Sequence, residues 1–147
     1  MIRSAVIAGA MLMLAAAASA QTKARTLEQT VADYVGLYNR SHLEEWKTLF
    51  HPDVLIAFPD DESGTIVTRD LEKFYGAQKR FFDSGAEGGE RLENVQFHAG
   101  RRIARVTADF IFWEGKKESR GKLGLHLVES AGGWKIVAVV FSYDHPD

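Results

Sequence analysis

The sequence predicts an α+β fold, with helices gathered toward the beginning of the chain and a sheet of antiparallel strands at its end. Three observations carry this. Leu27, Val31, Tyr34, Val35 and Tyr38 recur at helical spacing, so that one stripe of a helix is apolar. Leu71, Phe74, Tyr75, Gln78, Phe81 and Phe82 repeat that spacing further along. From Leu92 onward the pattern changes to short alternating runs separated by turn residues, which is the signature of a meander. Helical runs followed by a run of strands segregate into layers, with helices on one face of the sheet.

The first twenty residues read as a secretory leader and not as part of the fold. Met1 to Ser4 carries one positive charge on Arg3, Ala5 to Ala17 is uncharged and mostly apolar, and Ala18-Ser19-Ala20 offers a small-x-small cleavage pattern. The run is too short for a helix to cross a hydrocarbon core of roughly 30 Å; a retained amino-terminal anchor is the alternative. Cleavage after Ala20 leaves one expected domain, 21–147, and the expected location is outside the cytoplasm, most simply a bacterial periplasm. The 147 residues carry a net charge of −2 and no cysteine. An oxidising compartment is therefore tolerated without a disulfide framework. The acidic balance gives no electrostatic reason to bind nucleic acid, or a membrane once the leader is gone.

Within the expected domain, Thr26 and Gln29 form a capping box at the start of the first helix. The segment from Asn39 to Ser41 breaks it. Ser41 and Glu44 offer a second box, and Leu43, Trp46, Leu49 and Phe50 supply the next apolar face before His51-Pro52 stops it. Val54–Phe58 reads as a strand ending at Pro59, followed by an acidic turn through Gly64 and a small strand at Ile66–Thr68. After the long helix, Ser84 to Gly89 reads as a flexible loop. The meander is expected over Leu92–His98, Arg102–Trp113, Lys122–Glu129 and Trp134–Tyr143.

A register argument assigns the sheet faces. The turn from Ser130 to Gly133 places Leu127 opposite Ile136 and Leu125 opposite Ala138, and a hairpin around Gly115–Arg120 sets Phe110 against Leu125. One face then carries Phe110, Phe112, Leu125, Ile136, Ala138 and Val140 and packs beneath the helices. The other carries Trp113, His126, Phe141 and Tyr143, too apolar for simple exposure, and is expected to form a homodimer interface. The same register places Asp109 across from His126, either as an oriented base or as a polar contact within that interface.

Several segments together resemble the nuclear transport factor 2-like superfamily, which includes ketosteroid isomerases and SnoaL-like polyketide cyclases. They are Tyr34-Val35-Gly36-Leu37-Tyr38-Asn39, Leu43 with Leu49 to Val54, Phe74-Tyr75, and Gly132-Gly133-Trp134-Lys135-Ile136. The resemblance runs over most of Thr26 to Tyr143. It implies a cone of three helices packed on a curved antiparallel sheet, with a cavity left open between the two layers. It also implies that Tyr34 stands where the isomerases hold an oxyanion-stabilising tyrosine. Phe58 stands at their general base, and Leu125 near their second acid. Neither Phe58 nor Leu125 can transfer a proton, so that mechanism is disfavoured.

The residues expected to line an apolar ligand site are Tyr34, Tyr38, Trp46, Phe50, Phe58, Phe74, Phe110, Leu125 and Ala138. Tyr34 is its main polar contact or, equally, a core tyrosine. Substitute bases are sought in Asp60, Asp61 and His98, each of which also reads as a solvated turn residue. No serine or cysteine nucleophile, metal-ligand spacing or phosphate loop appears in the sequence, so neither cofactor nor metal is expected. Three functions remain: a small-molecule-binding pocket protein, placed first; an enzyme performing proton transfer with a non-standard base; and a dimeric protein-interaction module.

Overall fold

The computed structural model describes residues 23–144. The expected leader, 1–20, lies outside the described residues. Helices α1 (Leu27–Gly36) and α2 (Leu43–Lys47) precede strands β1 (Phe50–Asp60) and β2 (Thr65–Arg69), and helix α3 (Leu71–Asp83) precedes β3 (Gly88–Ala99), β4 (Ile103–Glu114), β5 (Lys117–Ser130) and β6 (Gly133–Tyr143). The strands form one curved, open sheet in the order β2-β1-β6-β5-β4-β3. It is the expected α+β architecture, with one qualification to the antiparallel sheet: β1 and β6 pair in parallel.

Local sequence explains the helix starts. Thr26 Oγ1 accepts from the Gln29 amide at 3.2 Å while Gln29 Oε1 accepts from the Thr26 amide at 3.0 Å, so both halves of the capping box form. The second expected box does not form. α2 begins after His42, which makes no side-chain cap, and Asn39 Oδ1 accepts from the Ser41 and His42 amides instead. A short polar side chain in the turn competes successfully for those amides. Arg25 then ties the two helices, reaching Asp33 and Glu45 at 2.7 Å each.

The inner face of the sheet is continuous with the helix packing. Leu125, Ile136, Ile56 and Val139 have no solvent exposure, and Trp46 and Leu49 have almost none. Close packing also explains a segment that composition describes poorly. Gly88 and Gly89 belong to β3 and not to a flexible loop. A Cβ on Gly88 would lie 2.6 Å from the Phe81 ring, and one on Gly89 would lie 2.9 Å from the Trp113 indole. The glycines are there so that two rings can rest on the strand.

Two registers differ from expectation. β4 and β5 turn at Gly115-Lys116, so Phe110 faces Gly121, and Val106 faces Leu125. This displaces the expected pairing by an even number of residues and leaves every side chain on its expected face. It does separate Asp109 from His126: Asp109 pairs with Lys122, and His126 pairs with Arg105. The second difference changes faces. Leu127 pairs with Ile136 as expected, but the next pair is His126 with Ala138, leaving Val137 as a bulge. An added residue inverts everything beyond it. Leu125 therefore meets Val139, and Ala138 and Val140 turn outward, Val140 to 52% exposure. Phe141 and Tyr143, expected on the outer face, turn inward.

Candidate functional site

The bulge in β6 builds the cavity. It brings Phe141 and Tyr143 under the helices, where they meet Phe110 with ring centroids 6.0 and 5.2 Å apart. The cavity they border lies between the helices and the inner face of the sheet and encloses about 150 Å³. From α1 and the turn after it come Tyr34 and Tyr38, from α2 Trp46, and from α3 Phe74, Gln78 and Phe81. The sheet supplies Glu90, Phe110, Phe112, Leu123, Phe141 and Tyr143. Nine of these twelve residues are aromatic, and none is lysine, arginine or histidine.

Glu90 is the residue that sequence reasoning missed. It follows the glycine pair and pairs across the sheet with Phe112, which places its side chain on the inner face. Its surroundings are apolar, and burial pushes its carboxyl up from an ordinary 4.5 to about 8. No hydrogen bond or ion pair from a described residue reaches it. The signal in the sequence is faint: a Gly-Gly-Glu-Arg run reads as a polar loop unless the rings that rest on the glycines are known.

Three tyrosines share this environment. Burial, and then the Glu90 charge, raise Tyr34 well above the ordinary tyrosine value, and the same two causes raise Tyr38 and Tyr143. All three therefore remain phenols and can donate. Tyr38 already donates to Gln78 Oε1. Tyr34 makes no side-chain hydrogen bond with a described residue, while its backbone is anchored: the Trp46 indole donates to the Tyr34 carbonyl oxygen at 2.8 Å. Tyr143, 43% exposed, is the most open of the cavity residues.

Of the residues expected at a ligand site, Tyr34, Tyr38, Trp46, Phe74 and Phe110 border the cavity. Phe50 does not; it packs behind Trp46 at 4.7 Å between ring centroids. Phe58 does not border the cavity; it stacks on Phe141 at 4.9 Å between ring centroids, and the Arg69 guanidinium lies 5.1 Å from its ring centroid. Leu125 is buried beneath the helices without reaching the cavity, and Ala138 faces outward because of the bulge.

The substitute bases are also elsewhere. Asp60 Oδ1 accepts from the Glu62 and Ser63 amides at 3.0 and 3.3 Å, and these bonds hold its carboxyl below the usual range. It shapes the turn between β1 and β2. Asp61 is exposed in that turn, and His98 is exposed on β3. Asp109 is engaged by Lys122 at 2.5 Å and Asn94 at 2.7 Å, on the outer face. Among the described residues no three histidine, aspartate or glutamate side chains converge as metal ligands, and no helix is long and apolar enough to cross a membrane.

Three helices over a curved six-stranded sheet, with an aromatic cavity between them, make up the NTF2-like architecture. The chain belongs to the SnoaL-like domain family, whose model matches residues 27–146. Comparison with curated proteins finds no match. Among solved structures, a protein of unknown function from Mycobacterium tuberculosis is similar with a TM-score of 0.65 at 17% identity, over 81% of this chain and 74% of that one. A candidate scytalone dehydratase from Novosphingobium aromaticivorans DSM 12444 has a TM-score of 0.65 at 14% identity, over 80% and 81%. An NTF2-like protein of unknown function from Shewanella baltica OS155 gives 0.61 at 11%, over 82% and 91%. At these identities the likeness is one of fold.

Proposed function

We propose that this chain is a pocket protein that binds one small, compact, mostly apolar molecule between its helices and its sheet, with Glu90 as the polar anchor. The observation that carries the reading is a carboxyl without a partner among the described residues, on the wall of a mostly aromatic cavity. Pockets that bind small molecules combine apolar walls with a few convergent polar groups. The 150 Å³ enclosed here is comparable to a cavity of about 150 Å³ that accepts benzene. The test uses benzyl alcohol. It should quench or shift the fluorescence of Trp46 saturably and raise the unfolding temperature, since a ligand that binds only the native state stabilises it. No change in either signal at millimolar concentration sinks the reading.

A second reading rests on the acidity of Glu90. A carboxyl poised at about 8 is matched to proton transfer near neutral pH, and Tyr34 is free to hold a developing oxyanion. Glu90 would then do the work that Phe58 cannot. Deuterium exchange at the carbon beside the carbonyl of cyclohexanone tests this; equal rates for wild type and Glu90→Gln would remove it.

Two further expectations carry over as proposals. Export rests on the leader pattern of residues 1–20, and a mature amino terminus at Gln21 is its measurable consequence. Homodimerisation through the outer face has a revised centre. Trp113 and His126 are on that face, but Phe141 and Tyr143 are not. Exposed Leu55, Val140 and Ile66, at 52, 52 and 77%, take their place. Leu55→Glu should turn a dimer into a monomer in sedimentation; a wild-type monomer would end the proposal.

A further inference from the structure

We infer that the molecule this pocket takes is a small organic cation, a primary or secondary ammonium on a compact apolar body, held by the Glu90 carboxylate inside an aromatic cage. The inference rests on the pocket reading above and narrows it to a class of ligand.

The wall chemistry is the first support. An aromatic face is negative and its edge positive, so ring faces turned to a cavity add an attraction for a cation that a neutral molecule of the same shape does not receive. Trp46 gives the strongest such face, and Tyr34, Tyr38, Phe110 and Tyr143 stand around the same space. Aromatic cages are a recurrent solution for holding ammonium ions.

The charge inventory is the second. Among the described residues, Glu90 is the only acidic one bordering the cavity, and no basic one borders it. An anionic ligand would meet the rings and a carboxyl with nothing to neutralise it. A buried carboxylate without a partner is costly. Two partly buried carboxylates elsewhere have cations: Asp109 has Lys122 and Asp33 has Arg25. At Glu90 the place of the cation is left to a ligand.

The third is the set of groups that face Glu90. From α1 and the turn after it they are Tyr34 and Tyr38, and from β6 Tyr143. α3 contributes Gln78, already bound by Tyr38, and β4 and β5 contribute only Phe110, Phe112 and Leu123. None is positive, so no described residue competes with an ammonium for the carboxylate, and the tyrosine oxygens can accept its remaining N–H groups.

The pH dependence gives the inference its sign. Glu90 holds its proton up to about pH 8. A cation favours the ionised form, so it must displace that proton, and its affinity should rise with pH until the amine itself deprotonates. A neutral ligand that accepts a hydrogen bond from the protonated carboxyl should instead bind less well over the same interval.

The test compares benzylamine with its neutral analogue benzyl alcohol by calorimetry on the intact protein. Benzylamine should bind with release of a proton, visible as a dependence of the heat on the buffer's ionisation enthalpy, and should tighten at least about tenfold between about pH 6 and pH 8. Glu90→Gln, matched in shape, should weaken benzylamine by about tenfold or more and abolish the proton release. If benzyl alcohol binds and benzylamine does not, or if benzylamine binds without releasing a proton, the cation assignment falls and the pocket reading stands. Binding of neither compound overturns both. The wild-type pH profile decides the matter even where Glu90→Gln folds poorly.

Discussion

Trp46 donates its indole N–H to the carbonyl oxygen of Tyr34 at 2.8 Å, and both residues border the cavity. Tyr34 lies in the last turn of α1, where carbonyls lack partners within the helix. The Leu37 and Tyr38 amides reach the Asp33 and Val35 carbonyls, at 2.9 and 3.3 Å, leaving the Tyr34 carbonyl to Trp46. One bond therefore closes the helix end, fixes the second helix against the first and sets where the Tyr34 ring can stand.

Replacing Trp46 by phenylalanine should accordingly do more than remove a ring. It leaves a buried carbonyl unpaired and opens space beside Phe50 and Phe74. A loss of about 2–4 kcal/mol is expected from the two effects together. Urea unfolding monitored by far-ultraviolet circular dichroism measures it, and a change under 1 kcal/mol would show that the bond is dispensable.

Glu90 should make the protein less stable as pH rises. Its folded value of about 8 lies above its ordinary 4.5, so over that interval the folded state retains a proton that the unfolded state has lost. The favourable contribution is complete below about 4.5 and is lost as pH climbs through about 8. Glu90→Gln should remove this slope. Allowing for screening through the cavity mouth, it should gain about 2–4 kcal/mol over wild type near pH 8. Paired carboxylates such as Asp109 and Asp60, held below their usual range, act in the opposite direction at low pH. The difference between wild type and variant is therefore the quantity to follow. A flat difference across pH would contradict the burial of this carboxyl.

The β6 bulge is open to a test that leaves side-chain shape unchanged. Val139 is fully buried and Val140 is 52% exposed, although the uninterrupted register expected from the turn has them reversed. Val139→Thr places a hydroxyl in the core and should cost about 1–3 kcal/mol. Val140→Thr should stay within about 0.5 kcal/mol of wild type. Equal costs, or the reverse order, would restore the unbulged strand.

Asp60 and His98 should prove indifferent to the pocket. Asp60→Asn keeps the oxygen that accepts from Glu62 and Ser63 and should leave both stability and benzyl alcohol binding near wild type. Asp60→Ala should destabilise through the turn alone, because the Glu62 and Ser63 amides lose their acceptor. His98→Gln should alter neither quantity. A weaker pocket in Asp60→Asn would reopen the case for a carboxylate at the β1 end.

Much of the fold was legible because local patterns and tertiary packing agree. The stripe from Leu27 to Tyr38, the capping box at Thr26 and the Phe-rich face of α3 each state a helix and the side it buries. The cavity was half legible: Tyr34, Tyr38, Trp46, Phe74 and Phe110 follow from those same stripes. What escaped came from three places where a single residue changes the outcome. Asn39 took the Ser41 amide that the expected box gave to the Glu44 side chain, Val137 bulged, and two glycines served as seats for rings.

By itself, the sequence determined the class of architecture, the inward stripe of each helix and the inner face of β4, because periodicities of 3.6 and 2 survive small errors in register. Only the tertiary structure decided which residues of β6 face the cavity and which acid enters it. A strand's facing depends on counting every residue, so the extra Val137 exchanges Ala138 and Val140 for Val139, Phe141 and Tyr143. The role of Glu90 depends on a cavity assembled from α1, α2, α3 and four strands. No stretch of sequence around it contains the burial that sets its acidity or the rings that surround it.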